Sequence, residues 1–480
     1  MVILGFLLVP KLFKPSEQIE KSIAVLPFEN LSSDEDKAWF NDGITDIVIN
    51  QLSKISELRV LGRTSTLRFR GGQKSISEIG KELGVNYIIE GTIQRQSEKM
   101  RISVQLIRVL NEGHIWSDIY DRDWNDIFEV QSEIAQRIAE ELRTVLTPEE
   151  KAQIETSETK NPEAYNLYLQ GRFHMSKRTE EGLNQSVEYF VKSLAADQDY
   201  ALAYAGLADA YFLKTWWGFI PWVEGNARAK VYALRALEIN RSLAEAHTVL
   251  GAILYWCDWN FEEARKELLF AIELNPNYGT AHQYYSELLD ILGQTDEAHS
   301  QINIALKIDP FFFMYHVMSA TYYYNEAKLK ESLGECQVVN ELYPVSSSGF
   351  RVMFHIYIKQ GEDIKAVETL QKIMLLDTLT AKNATVVKEI YNNLGINGLL
   401  NFVIEFELKK SKPLSYSIAR YYAMLEKNEE ALDWLEKGLE ENDSNILRIN
   451  SNPDFDILRS EPRFQAMIKK MGLSGYQKRQ

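Results

Sequence analysis

The residues able to do chemistry are few and scattered. Seven histidines occur in 480 residues, and none shows the H-E-x-x-H pattern or another metal-ligand spacing. His247, His282 and His316 stand 35 and 34 apart (282 − 247 and 316 − 282), which argues for a repeated packing role rather than a ligand set. The two cysteines, Cys257 and Cys336, allow one bridge at most. Two small buried thiols in helices account for them more simply than a metal pair or a redox switch. Gly71-Gly72-Gln73-Lys74-Ser75 approaches a phosphate loop, but Lys74 does not follow a glycine. With Gly72 as the second glycine of that motif, Leu67 stands where the first belongs. No Ser or Cys sits in a nucleophile elbow or beside a recognisable base. The sequence presents no catalytic, cofactor-binding or metal-binding set, and it reads as a non-enzymatic chain.

Recognition chemistry is better represented. The stretch from Trp216 to Trp222 gathers Trp216, Trp217, Phe219 and Trp222. Such an insert is either a wedge packed inside the fold or a partner-docking loop, tryptophan being a strong binding anchor. Trp256 and Trp259 are candidates to join it. A second set, Tyr255, Gln283, Glu287, Asp290, Tyr324, Asn325, Arg351 and His355, mixes aromatic and polar types as a peptide-binding surface does. Whether these residues share a surface depends on the elements that carry them.

Those elements repeat. Pro276, Pro310 and Pro344 are 34 residues apart (310 − 276 and 344 − 310), and Ala271 and Ala305 each precede a proline by five. Ala298, Ile302, Ala305 and Pro310 form one unit of small, large, small and terminating residues. Ala264, Leu268, Ala271 and Pro276 form the unit before it, with Leu250-Gly251 supplying the close contact of its first helix. Looser copies follow Ser186, Phe190 and Ser193, then Ala229, Ala233 and Ala236, then Ala366 and Leu370. The phase is lost beyond Asp377 until Ala431, Leu435 and Gly438. A 34-residue period with small residues where two helices touch is the tetratricopeptide pattern. It predicts about seven helix pairs over 162–440 and a helical cap over 441–480. Stacked pairs bury a continuous core and curve into a superhelix with a free inner face. On that geometry the eight residues from Tyr255 to His355 lie on first helices, facing the groove.

The N-terminal third alternates strand and helix signals. Ser22 to Phe28 is a short apolar run, and Ile44, Ile47, Val48 and Leu52 lie on one face of a helix over about 38–55. Leu58 to Leu61 reads as a strand and Ile76 to Leu83 as a helix. Tyr87–Gln96, Met100–Val109 and the run after Gly113 read as three strands. Met100, Ile102, Val104 and Leu106 alternate with polar residues, as in a sheet with one wet face. A helix with Ile127, Val130, Ile134, Ile138, Leu142 and Leu146 closes an α/β domain over 22–147, and 148–161 reads as a charged, weakly structured linker. The fold class is thus an α/β domain followed by an all-α solenoid.

Several motifs of this region carry a resemblance. They are Ser22-Ile-Ala-Val-Leu-Pro-Phe28 with Asn30-Leu31-Ser32, Phe40-Asn-Asp-Gly-Ile44, Gln51-Leu-Ser-Lys54, Arg63-Thr-Ser65, Glu82-Leu-Gly-Val85, and Trp116 with Tyr120-Asp-Arg-Asp123. The cap adds Asp454-Phe-Asp456, Leu458-Arg459, Pro462-Arg-Phe464 and Met471-Gly-Leu473. Together they resemble the TolB-like domain that precedes tetratricopeptide repeats in bacterial signalling proteins. The resemblance implies a sensory or scaffolding half, commonly joined through a membrane helix to a nucleotide cyclase or a winged-helix transcription regulator. This chain shows neither output domain.

Composition narrows the partner. Hydrophobic residues make up 45% and charged residues 25%, the balance of a folded protein. A net charge of −15 repels phosphate backbones, so a protein or peptide partner is expected rather than nucleic acid. The apolar stub over 1–21, MVILGFLLVPKLF at its start, is shorter than a spanning helix requires. It reads as the remnant of a membrane helix or a weak anchor through residues 2–13. That places the chain at a bacterial envelope, the periplasmic side favoured, with the cytoplasm as the alternative. The sequence sets no oligomeric state.

Overall fold

The computed structural model describes residues 20–32, 38–96, 99–156, 159–376, 380–410 and 413–476. Residues 1–19 of the N-terminal stub, its apolar run included, lie outside them. Among the described residues no helix is long and apolar enough to cross a membrane.

The first region is a mixed sheet covered by helices. Its elements are β1 (Ser22–Val25), β2 (Glu29–Asn30), α1 (Ala38–Ser53), β3 (Arg59–Val60), α2 (Arg63–Leu67), α3 (Ile76–Leu83), β4 (Tyr87–Gln96), β5 (Lys99–Arg108), β6 (Gly113–Asp123) and α4 (Ile127–Glu141). The strand order is β3-β1-β4-β5-β6, with β2 also paired to β4. β1 runs parallel to β3 and β4, whereas β4, β5 and β6 form an antiparallel meander. The alternation along β5 works as expected: Met100, Ile102, Val104 and Leu106 are buried, and Lys99 and Arg101 face water. Local signals set the helix limits. Ser75 and Glu78 form a reciprocal capping box at the start of α3, and Gly84 ends it in the left-handed conformation (φ 63°).

Two expectations fail here. The closing helix ends at Glu141 rather than running to Leu146, because Arg143 adopts a left-handed turn (φ 52°). The segment 148–161 is not weakly structured throughout. Pro148–Glu155 forms a helix, α5, started by the capping box of Thr147 and Glu150 with proline in its first turn. Its one large apolar residue, Ile154, is fully buried, and Glu150 accepts hydrogen bonds from the Ser56 amide (2.8 Å) and hydroxyl (2.7 Å). Charge masked these few anchoring contacts.

Beyond Asn161 the chain is helical. The pairs are α6 (Pro162–Ser176) with α7 (Glu180–Ala196), α8 (Ala201–Trp216) with α9 (Trp222–Ile239), and α10 (Ala244–Trp256) with α11 (Phe261–Leu274). α12 (Gly279–Ile291) pairs with α13 (Thr295–Ile308), α14 (Phe313–Asn325) with α15 (Leu329–Leu342), and α16 (Ser348–Gln360) with α17 (Asp363–Leu375). A long helix, α18 (Val386–Leu408), is kinked at Gly395 and interrupts the register where the sequence period is lost. α19 (Ser415–Met424) with α20 (Asn428–Glu440) resumes it, and α21 (Pro462–Lys470) follows. The small and large positions of the repeat behave as their sizes require. Ala264, Leu268 and Ala271 are fully buried, as are Ala298, Ile302 and Ala305. A Cβ on Gly251 would stand 2.7 Å from Leu268, so only glycine permits this helix contact. Each such leucine or isoleucine contributes roughly 2 kcal/mol by burial.

The three regularly spaced histidines turn out to be staples. His247, His282 and His316 each use Nε2 to hydrogen-bond the carbonyl six residues earlier, of Arg241, Pro276 and Pro310. Each uses Nδ1 to meet Glu267, Gln301 or Glu335 on the following helix. The imidazole therefore ties the turn before its helix, a proline turn in two of the three, to both helices of the pair. Cys257 and Cys336 are free thiols pushed up to about 12 by burial. In the glycine-rich turn Lys74 pairs with Glu82.

The first region and the repeats share a core. Ile44, Val48 and Leu52 of α1 cluster with Tyr168 and Leu169 of α6 and Phe190 of α7. The far side of the same region docks on the proline turns. The Gly62 amide donates to the Ile308 carbonyl (2.7 Å), and Asn277 donates to the carbonyls of Ser53 (3.1 Å) and Leu58 (2.8 Å). Asp309 accepts from the Ser65 hydroxyl, and burial pushes its carboxyl up to about 6.

Candidate functional site

The concave face of the solenoid is not an open groove. After α20 the chain folds back into it through two short 3-10 turns, Ile446–Ile449 and Pro453–Leu458. Arg448 lies 3.5 Å from Glu287. Asn450 Nδ2 donates to the Ile291 carbonyl (2.7 Å) and Ser451 Oγ to Asp290 (2.9 Å). Tyr324 donates its hydroxyl proton to Asp454 (2.5 Å), whose second oxygen accepts from Arg420 Nε (2.5 Å). Phe455, Leu458 and Phe464 are fully buried in the same core as α10, α12 and α14. The cap is therefore a structural part of the inner face.

This explains where the eight groove residues stand. Tyr255, Gln283, Glu287, Asp290, Tyr324, Asn325 and His355 are buried, with exposures from 0 to 8%, whereas Arg351 is exposed. A fully open groove would have left them wet. Burial raises the Glu287 carboxyl, against the pull of Arg448 and the hydrogen bond from Gln283. Burial also holds His355 well below the ordinary imidazole range, helped by Arg420 and Arg351. Its ring stacks on Tyr421 (5.7 Å between centres).

What the cap leaves is a cavity of about 660 Å³. Gln283, Glu287, Tyr324, Asn325 and Arg351 of the groove set line it, together with Trp216 and Trp217 of the aromatic insert. Residues of the first-helix faces and of the aromatic insert thus meet in one place. Tyr255 stands behind Trp256 (5.2 Å between rings), Asp290 is occupied by Ser451 and Asn325, and His355 lies outside the lining. The insert is the turn between α8 and α9, only its end residues Trp216 and Trp222 belonging to the helices. Trp216 packs against Trp222 (6.0 Å) and Trp256 (5.1 Å), a wedge. Phe219 packs against the core that the first region shares with α6–α8, and Trp217 is 39% exposed. The volume lies in the range of sites for small molecules or short peptide segments, and the lining mixes rings with a few polar groups as such sites do.

Sequence reasoning missed Arg178, Asp209, Arg420, Arg448, Ser451 and Asn452, which also line the cavity. Arg178 belongs to the α6–α7 turn and the last four to the cap and α19. They come together across 274 residues of chain (452 − 178), a juxtaposition no repeat pattern signals. Among the described residues no group of three or more His, Cys, Asp or Glu is placed to hold a metal ion.

Residues 19–137 match the family described as HilA/YgeH-like transcriptional regulator, second domain. A Rhizobium meliloti protein named "Putative adenylate cyclase 3" is 34% identical over 245 residues, 50% of this chain and 41% of that protein. The transcriptional regulator HilA of Salmonella typhimurium is 24% identical over 295 residues, 60% of this chain and 51% of its own length. The chain thus spans about half the length, or less, of the curated relatives it matches. Among solved structures, PilW, a type IV pilus biogenesis factor, overlays 46% of this chain and 97% of its own at 16% identity and a TM-score of 0.37. YrrB, described as a TPR protein with an unusual peptide-binding site, overlays 42% and 98% at 22% identity and a TM-score of 0.29.

Proposed function

We propose that this chain is a non-enzymatic protein-interaction module of bacterial signalling, taking a short segment of a partner protein into the cavity between the repeats and the cap. The observation that carries the reading is the convergence of groove and insert residues on one mixed aromatic and polar lining. Trp217 and Arg351 are its exposed members and the natural first contacts. Peptides selected from a display library against the whole chain should bind with one site per chain. Trp217→Ala and Arg351→Ala should weaken them at least about tenfold by calorimetry, since exposed anchors can be removed without loss of fold. Equal affinity for both variants would sink the reading.

The similarity to a cyclase-named protein and to HilA favours a related proposal, that the chain corresponds to the regulatory part of such proteins, its first region being the TolB-like domain. The catalytic step would then belong elsewhere. Purified chain incubated with ATP and magnesium should form no cyclic nucleotide, and formation of any would overturn the non-enzymatic reading. Envelope association through residues 2–13 is part of the same proposal. Deleting them should move the protein from the membrane to the soluble fraction, and unchanged fractionation would remove that part.

A further inference from the structure

The charge of the cavity runs against the charge of the chain. In a protein of net charge −15, four arginines line this space, Arg178, Arg351, Arg420 and Arg448, against two carboxylates, Asp209 and Glu287. Two of the four are neutralised in place: Arg448 faces Glu287 and Arg420 holds Asp454. The other two have no carboxylate within ion-pair distance among the described residues. Arg351 Nε reaches only the Ser347 hydroxyl (3.1 Å), and the Arg178 guanidinium lies over the Phe312 ring, 5.0 Å from its centre. Burial holds the Asp209 carboxyl above its ordinary range despite the pull of Arg172 and Arg178, which weakens it as a counter-charge.

Arg178 sits on left-handed backbone in the α6–α7 turn. Each helix-pair turn contains one left-handed residue. Glycine fills it in three of the seven pairs, as Gly218, Gly293 and Gly361, and Arg178 (φ 51°), Trp259, Ala327 and Glu426 fill the other four, so the position takes glycine and side chains alike. Rings share the lining with these cations, Trp216, Trp217 and Trp256 among them, the last beneath the Arg448 guanidinium (5.2 Å to the ring centre).

We propose that the cavity selects a ligand carrying an oxyanion, a carboxylate above all, on an aromatic or apolar body. Arg178 and Arg351 take the anion and the three tryptophans flank the body. This rests on the cavity being the recognition site and adds the chemistry it recognises. A free organic acid and the C-terminal end of a peptide present that same chemistry, and the test separates them.

The whole chain is titrated by calorimetry and tryptophan fluorescence with 2-naphthoate, with its uncharged counterpart 2-naphthamide, and with a phenylalanine-ended tripeptide bearing a free or an amidated C-terminus. The same is done with Arg178→Gly, which the left-handed backbone favours, with Arg351→Gln at an exposed position, and with Trp217→Ala. One saturable site is expected, with an acid bound at least about tenfold tighter than its amide, and the two arginine variants should abolish that preference while melting at or near the parent temperature. On the unaltered chain, an amide bound as tightly as its acid, or no saturable binding of any probe, overturns the proposal. So does a full acid preference kept by both folded variants. Tripeptides bound alike with free and amidated ends, and lost on Trp217→Ala, remove the anion but keep the peptide reading. Naphthoate bound with acid preference while neither tripeptide binds keeps the anion and removes the peptide reading.

Discussion

His316 shows how much a single side chain does in this fold. Its Nε2 needs a proton to donate to the Pro310 carbonyl (2.9 Å), and its Nδ1 needs another to donate to the Glu335 carboxylate (2.6 Å). Burial opposes the charged ring, but Glu335 and the carbonyl outweigh it, and the pKa is raised. A histidine whose folded pKa exceeds its unfolded value stabilises the protein fully below about pH 6.5 and loses that contribution as pH climbs through the raised value. His316→Gln should therefore cost more stability at pH 6 than at pH 8 in paired denaturant titrations, and an equal cost at both would contradict the charged staple. Tyr255 makes the opposite case. Its ring is fully buried while its hydroxyl has no hydrogen-bond partner. Tyr255→Phe should thus leave the melting temperature unchanged or raise stability by about 1 kcal/mol, because an unpaired buried hydroxyl costs free energy. A loss of stability would show that the hydroxyl is satisfied in solution.

The helix pair is the unit at the next scale, and its turn is where the sequence departs from what the backbone prefers. Left-handed residues end the first helix of every pair, as Arg178, Gly218, Trp259, Gly293, Ala327, Gly361 and Glu426. Ala327 has only a methyl side chain to place there, so its conformation is plain strain (φ 60°). Left-handed backbone costs an L-residue about 1–2 kcal/mol, and glycine's extra unfolded freedom returns about 0.5–1. Ala327→Gly should stabilise the chain by roughly 0.5–1 kcal/mol, read as a rise in melting temperature. Helix pairs with strong period were legible because packing demands a small residue wherever two helices touch. α5 and the kink at Gly395 were not, since one depends on contacts from distant Ser56 and the other on a backbone state without sequence period.

At the scale of the whole molecule, the first region is held at two places, the shared core around α1 and α6 and the docking of Gly62 on the α13–α14 turn. The second contact is close. A Cβ on Gly62 would meet the Asp309 carboxylate at 2.6 Å, in a spot fixed from both sides by hydrogen bonds. Gly62→Ala should cost about 1–3 kcal/mol, the usual size of an overpacking penalty, measured by denaturant unfolding of the full chain. A neutral result would mean that the first region is not seated on the repeats in solution. The same long-range logic governs the cavity. Its groove and insert residues come from α8, α12, α14 and α16, but its closure comes from a cap joined to them only by folding.

Periodicity and residue size, both local properties, determined the helix pairs, the alternating sheet strands and the aromatic and polar character of the inner face. They also placed Gln283, Tyr324 and Arg351 on helices that look the same way, because a 34-residue repeat returns each position to the same side of the superhelix. Only the tertiary structure decided that this face is closed. Ser451 reaches Asp290 across 161 positions and Asp454 reaches Tyr324 across 130, and such pairings follow from the curvature of the whole stack, which no single repeat encodes. Burial, the free or neutralised state of each arginine and the volume left for a ligand are consequences of that closure.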